Sequence, residues 1–299
     1  MNKYIAFDIG GTFLKYAVVG ADSTILEHNK VKTPKTLDGL LKVIHTFAAL
    51  YKDVQGIAVS LPGAVSNEGF VYGSSAIPFI HGPNVKQLIS SGTSLPVYIE
   101  NDANCAGYAE VWAGAAKGKK DVLVMAIGTG VGGAIIKNGE VHKGANLHGG
   151  EFGFMLLNAN NKDMKEEEWV RMDATLSMVR KVAKRKNVEP ESLSGEEIFA
   201  LAASGDRICM EAIDDFFHLL AIGIFNLQYI YDPEIILIGG GISAREDLSE
   251  RIYDKLDRIL ASYPKATIRP KIGTCKFRQN ANLLGAVYGL IRGIERDML

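Results

Sequence analysis

The chain has 299 residues, 47% of them hydrophobic and 22% charged, with a formal net charge of −1. That length accommodates two domains with cores of their own, and the near-neutral balance excludes a general basic field for nucleic acid. Three cysteines, Cys105, Cys209 and Cys275, are too few and too far apart for a disulfide framework or a CxxC metal site, which fits a reducing cytoplasm.

In chain order, strands are predicted near residues 3–9, 13–20 and 24–31, with no basic-then-apolar leader before them. Between the first two lies Phe7-Asp8-Ile9-Gly10-Gly11-Thr12-Phe13-Leu14-Lys15. The glycines let backbone N–H groups approach an anion, and the threonine hydroxyl adds a donor. Asp8 tolerates a phosphate only through a divalent cation, and Mg2+ with retained waters suits that task. The stretch reads either as a metal–nucleotide turn or as a plain Gly-Gly hairpin. A helix follows, with Leu37, Leu40, Leu41, Ile44, Phe47, Ala48 and Tyr51 on one face and Thr36 as its N-cap. A buried strand from Val54 to Ser60 stops at Leu61-Pro62-Gly63, and a Gly/Ser/Pro-rich loop runs on to Pro83. A short helix near 84–91 and a strand from Val97 to Glu100 come next. An Ala-rich helix then opens at Asn101-Asp102-Ala103-Asn104 and runs to about Lys117. Asp102 is there either a general base for a hydroxyl attacking a phosphoryl group, or one of two residues, with Asn101, that caps the helix.

Gly118-Lys119-Lys120-Asp121 is a composition break and an expected domain boundary. Beyond it the order of strand, small-residue turn, strand, strand begins again, with strands Val122 to Ile127 and Val131 to Lys137 and a hairpin at Asn138-Gly139. The uncharged run Val122 to Ile136 is too short and too rich in glycine to span a membrane. Gly128-Thr129-Gly130-Val131-Gly132-Gly133 reads as a second anion cradle or a tight turn; it lacks the Lys-Ser/Thr ending of a Walker A loop and leads into a strand. His148-Gly149-Gly150-Glu151-Phe152-Gly153-Phe154 sets a lone acid among glycines and aromatics, suited to a sugar ring or to a solvated loop. His148 has no second His or Cys beside it to complete a metal site. Helices are expected at 166–186 and 206–231, then a strand from Glu234 to Ile238 running into Gly239-Gly240-Gly241. That triplet reads as a flat bed for adenine or as a strand-ending turn. A helix near 247–262, a strand near 268–277 and a helix from about 280 complete the chain. Two such α/β units facing each other would bring both Gly/Thr turns to one cleft.

Taken together, Asp8-x-Gly10-Gly11-Thr12-x-x-Lys15, Leu61-Pro62-Gly63, Glu100-Asn101-Asp102-Ala103-Asn104, Gly128-Thr129-Gly130-Val131-Gly132-Gly133, Gly150-Glu151-x-Gly153, Gly239-Gly240-Gly241 and Asn282-Leu283-Leu284-Gly285-Ala286 resemble the ROK family of repressors, uncharacterised reading frames and sugar kinases. The set spans nearly the whole chain in the family's order. The resemblance implies an α/β, two-lobed actin-like/hexokinase (RNase H-like) ATPase fold with an interlobe cleft. The small lobe would be residues 1–117, completed by a C-terminal helix 283–299, and the large lobe residues 118–282. It implies an ATP-dependent kinase acting on the 6-hydroxyl of a sugar in the cytoplasm. Asp8, Gly10, Gly11, Thr12 and Lys15 would face Mg2+-ATP phosphates, with Asp8 holding Mg2+ through water and Gly128, Thr129 and Gly130 opposite. Asp102 would be the catalytic base, and Gly63, Asn101 and Glu151 would hold ring hydroxyls. Gly239, Gly240 and Gly241, with Asn282 nearby, would border the adenosine. A homodimer is implied by the resemblance alone.

Two departures bear on this expectation. Many members follow the Glu-x-Gly with a His and a Cys-rich zinc run; here Phe154 takes the His position and no cysteine lies between Cys105 and Cys209, so zinc is not expected. Phe154 and Trp169 are then the candidates to support the loop. Family glucokinases also carry a further sugar-binding Glu, whose place falls on Val170, with Glu168 and Asp173 out of register. Both losses lie near the anomeric end of the sugar in relatives. With the resemblance of Ser75 to Gly82 to zinc-free members suspected to act on β-glucosides, they point to a hexose or β-glucoside 6-kinase. N-acetylhexosamine kinase, fructokinase and a non-catalytic sugar sensor are the alternatives. A sugar-responsive repressor is disfavoured, because Asp8 stands close to the start and leaves no room for a winged-helix reading head.

Overall fold

The computed structural model describes residues 1–128, 130–157 and 175–298. Its first elements are β1 (Lys3–Ile9), β2 (Phe13–Gly20), β3 (Ile25–Lys32), α1 (Leu37–Leu50), β4 (Ile57–Leu61), β5 (Ala64–Val65), β6 (Val71–Tyr72), α2 (Val85–Ser90), β7 (Val97–Asn101) and α3 (Asp102–Ala113). They are followed by β8 (Val122–Ile127), β9 (Val131–Lys137), β10 (Glu140–Val141), α4 (Thr175–Lys186), α5 (Gly195–Ala203), α6 (Arg207–Tyr231), β11 (Ile235–Gly239), α7 (Leu248–Ser262), β12 (Ile272–Thr274) and α8 (Ala281–Asp297). The chain forms two compact units. Unit 1 is Met1–Lys120 with Ala134–Gly149 and Lys276–Leu299, and unit 2 is Asp121–Gly133 with Gly150–Cys275.

Unit 1 is built on a sheet ordered β3-β2-β1-β4-β7, in which β1 runs antiparallel to β2 and parallel to β4. Side chains along a strand alternate between faces. Ile5, Phe7 and Ile9 therefore join Leu40, Ile44 and Phe47 of α1 in one core. Tyr4 and Ala6 face the other way, into a core with Cys105 and Ala109 of α3 and Leu283, Leu284 and Val287 of α8. A strand covered on both faces reads as an unbroken apolar run, as Tyr4 to Phe7 does. The same alternation sends Asp8 toward the α3 and α8 side. Thr36 caps α1 as expected, its hydroxyl accepting from Gly39 N at 3.2 Å. Residues 134–149, placed by the sequence reading in the large lobe, pack in unit 1. A Cβ on Gly107 of α3 would lie 2.9 Å from Ala134, and Glu140 accepts from Tyr108 at 2.9 Å and from Arg292 at 2.6 Å.

The second sheet, ordered β10-β9-β8-β11-β12, gives unit 2 its parallel strands β8, β11 and β12. The elements differ from the sequence reading in several places, the strand expected near 268–277 being only Ile272–Thr274. Chain pairing before β4 is carried by Gln55 and Gly56 backbone groups, so the strand itself starts at Ile57. Helix α3 stops at Ala113, where Gly114 takes an extended conformation. Helix α5, absent from that reading, is opened by a Ser194–Glu197 capping box. The part of the 166–186 helix before Thr175 lies outside the described residues. Among the described residues no helix is long and apolar enough to cross a membrane.

Helix α8 packs tightly on α3 at Gly285, where a Cβ would lie 1.6 Å from Cys105 O. Gly285→Ala is expected to lower stability by about 1–3 kcal/mol or more, because backbone rather than a side chain must move. Gly293→Ala, on the same helix with open space around it, is expected to raise stability by about 0.5–1 kcal/mol. Thermal melts of both variants check the pair, and equal shifts would contradict the packing.

Candidate active site

The first turn is held by strand register. Asp8 pairs across from Lys15 of β2 and across from Ser60 of β4. Its carboxylate is buried, and Oδ1 accepts from Ser60 Oγ at 3.2 Å and from Asn282 Nδ2 at 3.0 Å, while Oδ2 accepts from Lys15 Nζ at 3.3 Å. The turn is a tight hairpin in which Gly10 N donates to Phe13 O at 3.0 Å and Thr33 Oγ1 donates to Gly10 O at 2.5 Å. Gly11 and Thr12 are exposed on its outer side, and a Cβ on Gly11 would meet Ala76 at 2.8 Å. Asp8, Gly10, Gly11, Thr12, Lys15 and Asn282 thus form one constellation in unit 1. The Asn282 amide is tied to this turn through Asp8.

The second constellation of unit 1 is the corner from β7 into α3. Asn101 is the N-cap, with Oδ1 accepting from Asn104 N at 3.1 Å, and its Nδ2 donates to Gly63 O at 3.0 Å. Gly63 sits at φ +106°, the left-handed region that favours glycine, and a Cβ there would strike Tyr72 O at 2.9 Å. Asp102, the first helical residue, accepts from Ala103 N at 2.8 Å. Sequence reasoning gave no role to Glu100, which is 0% exposed. Its Oε1 accepts from Asn101 N at 2.8 Å and Asn104 Nδ2 at 3.1 Å; its Oε2 accepts from Tyr98 OH at 3.1 Å and pairs with Lys143 Nζ at 2.8 Å. The available signal was an acid ending an otherwise apolar strand. Behind this corner the buried Cys105 thiol is pushed well above its ordinary range, first by burial and then by the charges of Glu100, Asp102 and Asp8, while a hydrogen bond with Ser60 opposes the rise.

Unit 2 gathers the remaining glycines. A cavity of about 420 Å³ is lined by Gly128, Gly130, Val131, Glu151, Phe154 and Gly240, among others. Gly240 takes φ +82°, and a Cβ there would lie 2.0 Å from Ile127 O, so the strand-ending turn requires glycine. A second cavity of about 420 Å³ adjoins Gly128 and Gly241 and has apolar walls from Leu176, Val179, Pro190 and Leu193. Gly239 ends β11. Phe154 does not support its loop as the sequence reading expected: it is 64% exposed, while Phe152 is buried. The Phe152 ring occupies the space a Cβ on Gly133 would need, 2.4 Å away, so the missing side chain decides which aromatic turns inward. Thr129, Glu168, Trp169, Val170 and Asp173 lie outside the described residues. Among the described residues no three His, Cys, Asp or Glu side chains are grouped to hold a metal ion.

Two α/β units, each opening with a strand, a glycine turn and a second strand, define an actin-like/hexokinase ATPase fold. The chain matches the ROK family over residues 4–292. It is 35% identical to the beta-glucoside kinase of Listeria monocytogenes over 98% of this chain and 99% of that one. The solved structure of a ROK family protein from Streptococcus pneumoniae in complex with sucrose is similar, with a TM-score of 0.92, 36% identity and coverage of 98% and 99%. A ROK family glucokinase from Streptomyces griseus, solved with glucose and AMPPNP, has a TM-score of 0.76 and 25% identity, covering 95% of this chain and 98% of its own. The chain belongs to the ROK family, and it is a carbohydrate kinase.

The thiols report on the corner. Cys105 and Cys209 are buried and Cys275 is partly exposed. With a soluble thiol reagent at pH 8, Cys275 is expected to label first in the native protein. Cys105 is expected to label only after unfolding, because the reactive thiolate is disfavoured by burial and by three nearby carboxylates. Labelling of native Cys105 at the Cys275 rate would contradict this environment.

Proposed function

We propose that the protein transfers the γ-phosphoryl group of ATP to the 6-hydroxyl of a hexose or β-glucoside, with Asp102 as general base. The observation that carries the reading is the capping of α3 by Asn101. The structural duty that competed for Asp102 falls on its neighbour, and an acid remains at the corner that also carries Gly63 and Asn101. Phosphoryl transfer asks a protein for positioning, charge neutralisation and one acid to orient the nucleophile.

On this reading Asp102 takes the proton from the sugar hydroxyl as its oxygen attacks the γ-phosphorus in line and ADP leaves. Gly63, Asn101 and Glu151 hold ring hydroxyls. Asp8, Gly10, Gly11, Thr12 and Lys15, with Gly128, Thr129 and Gly130, receive the phosphates. Gly239, Gly240 and Gly241 border the adenosine, and the apolar cavity beside Gly241 supports that assignment. Asp8 fits a water-mediated hold on Mg2+: it is buried, takes three donors and, among the described residues, has Lys15 as its direct cationic partner. When bound, Mg2+ neutralises phosphate charge. Exposed Phe154 beside Glu151 supplies an apolar surface for a C1 substituent, and a relative named beta-glucoside kinase matches over nearly the whole chain.

The test is ADP release with Mg2+-ATP and a panel of glucose, mannose, fructose, N-acetylglucosamine, N-acetylmannosamine and cellobiose. Cellobiose is expected to outpace free glucose, and Asp102→Asn is expected to cost about 10²–10⁴ in rate, the range for loss of a general base. Glucose turnover equal to or above that of cellobiose would remove the glucoside specificity. An Asp102→Asn rate equal to wild type would remove the base, and a panel with no turnover would favour a sugar sensor.

A further inference from the structure

Glu100 is enclosed, charged and placed immediately before Asn101 and Asp102. A buried carboxylate is tolerated when its charge is paired and its lone pairs are used. Here both conditions are met: four donors reach its two oxygens, two on each. The one cation among them is Lys143, which comes from the loop after β10. An ammonium has three N–H donors. Those of Lys143 go to Glu100 Oε2 at 2.8 Å, Val65 O at 3.0 Å and Asn67 Oδ1 at 3.2 Å. The Lys143 backbone is itself fixed, since its carbonyl accepts from Gly149 N at 2.7 Å. Lys143 therefore ties together the segment following Gly63 and the acid that orients Asn101 N. A second bond, from Asn101 Nδ2 to Gly63 O, closes the same circuit. Networks of this kind are rigid when every member is satisfied and fail locally when one is removed.

We propose that Lys143 is a positioning residue for the sugar side of the reaction, acting through Glu100 on Asn101 and Asp102 and through Val65 on the segment beside Gly63. This rests on the assignment of Asp102 as the base. The Lys143 ammonium donates to Glu100, Val65 and Asn67 and not to Asp8, Gly10, Gly11, Thr12, Lys15 or Asn282, the unit 1 residues assigned to ATP, so its influence is expected on the acceptor side. Removing the ammonium strands the Glu100 charge and lets the corner shift. A misplacement of about 1 Å at a reacting group costs on the order of 10² in rate.

Steady-state kinetics of wild type, Lys143→Met, Lys143→Arg and Asp102→Asn, with cellobiose and with glucose as acceptors, test the proposal. Lys143→Met is expected to lower kcat/KM for the sugar by about 10², with a raised sugar KM and a lowered kcat, while the KM for ATP stays within about twofold. Lys143→Arg keeps the charge and is expected to return to within about tenfold of wild type. Wild-type sugar kinetics in a folded Lys143→Met would overturn the proposal, as would an equal loss on the ATP side. Should Lys143→Met fail to fold, the double variant Glu100→Gln/Lys143→Met leaves no stranded charge, and the same parameters decide. Inactive Asp102→Asn beside a normal Lys143→Met would sink this proposal alone. Fully active Asp102→Asn would sink the base assignment and this proposal with it.

Discussion

Burial of negative charge is the constraint on which unit 1 depends. Asp8, Glu100 and Asp102 surround one buried thiol, and a carboxylate left unpaired in such a place costs several kcal/mol, on the order of 3–5 when a buried partner is lost. The sheet answers this constraint with register. Asp8 has Lys15 on one neighbouring strand and Ser60 on the other, and α8 brings Asn282 to the same oxygen as Ser60. Glu100 has its own strand and helix on one side and Lys143 on the other. These buried acids are thereby held by the elements that also form the core.

That dependence explains where glycine is obligatory. Helix α8 can deliver Asn282 to Asp8 only by packing closely on α3, and Gly285 is the residue that permits the approach. In unit 2, Gly240 lets β11 end against Ile127, and Gly133 makes room for Phe152.

Much of this was legible in the sequence because it is local. The apolar run of Tyr4 to Phe7, the Thr36 cap and the glycine turn after Asp8 each declare themselves within a few residues. Ambiguity at Asn101-Asp102 was also local, since either residue type caps a helix; only the backbone, extended at Asn101 and helical at Asp102, separates them. The pairing of Glu100 with Lys143 was not legible, because it depends on how the loop after β10 returns to β7. Nor was the choice between Phe152 and Phe154, two aromatics on either side of Gly153. Helix α5 is a different case: the Ser194-to-Glu197 capping box was there to be read.

Phosphoryl transfer to a sugar hydroxyl, with Asp102 as the base, is the proposal on which the roles of the other site residues depend. Correlated phosphorus–proton NMR of the product formed from cellobiose and Mg2+-ATP tests it most directly. The predicted result is a phosphorus coupled to the two C6 protons of the non-reducing ring, formed by wild type and not by Asp102→Asn on the same timescale. Phosphate on any other carbon, or the same product at the same rate from Asp102→Asn, would contradict it.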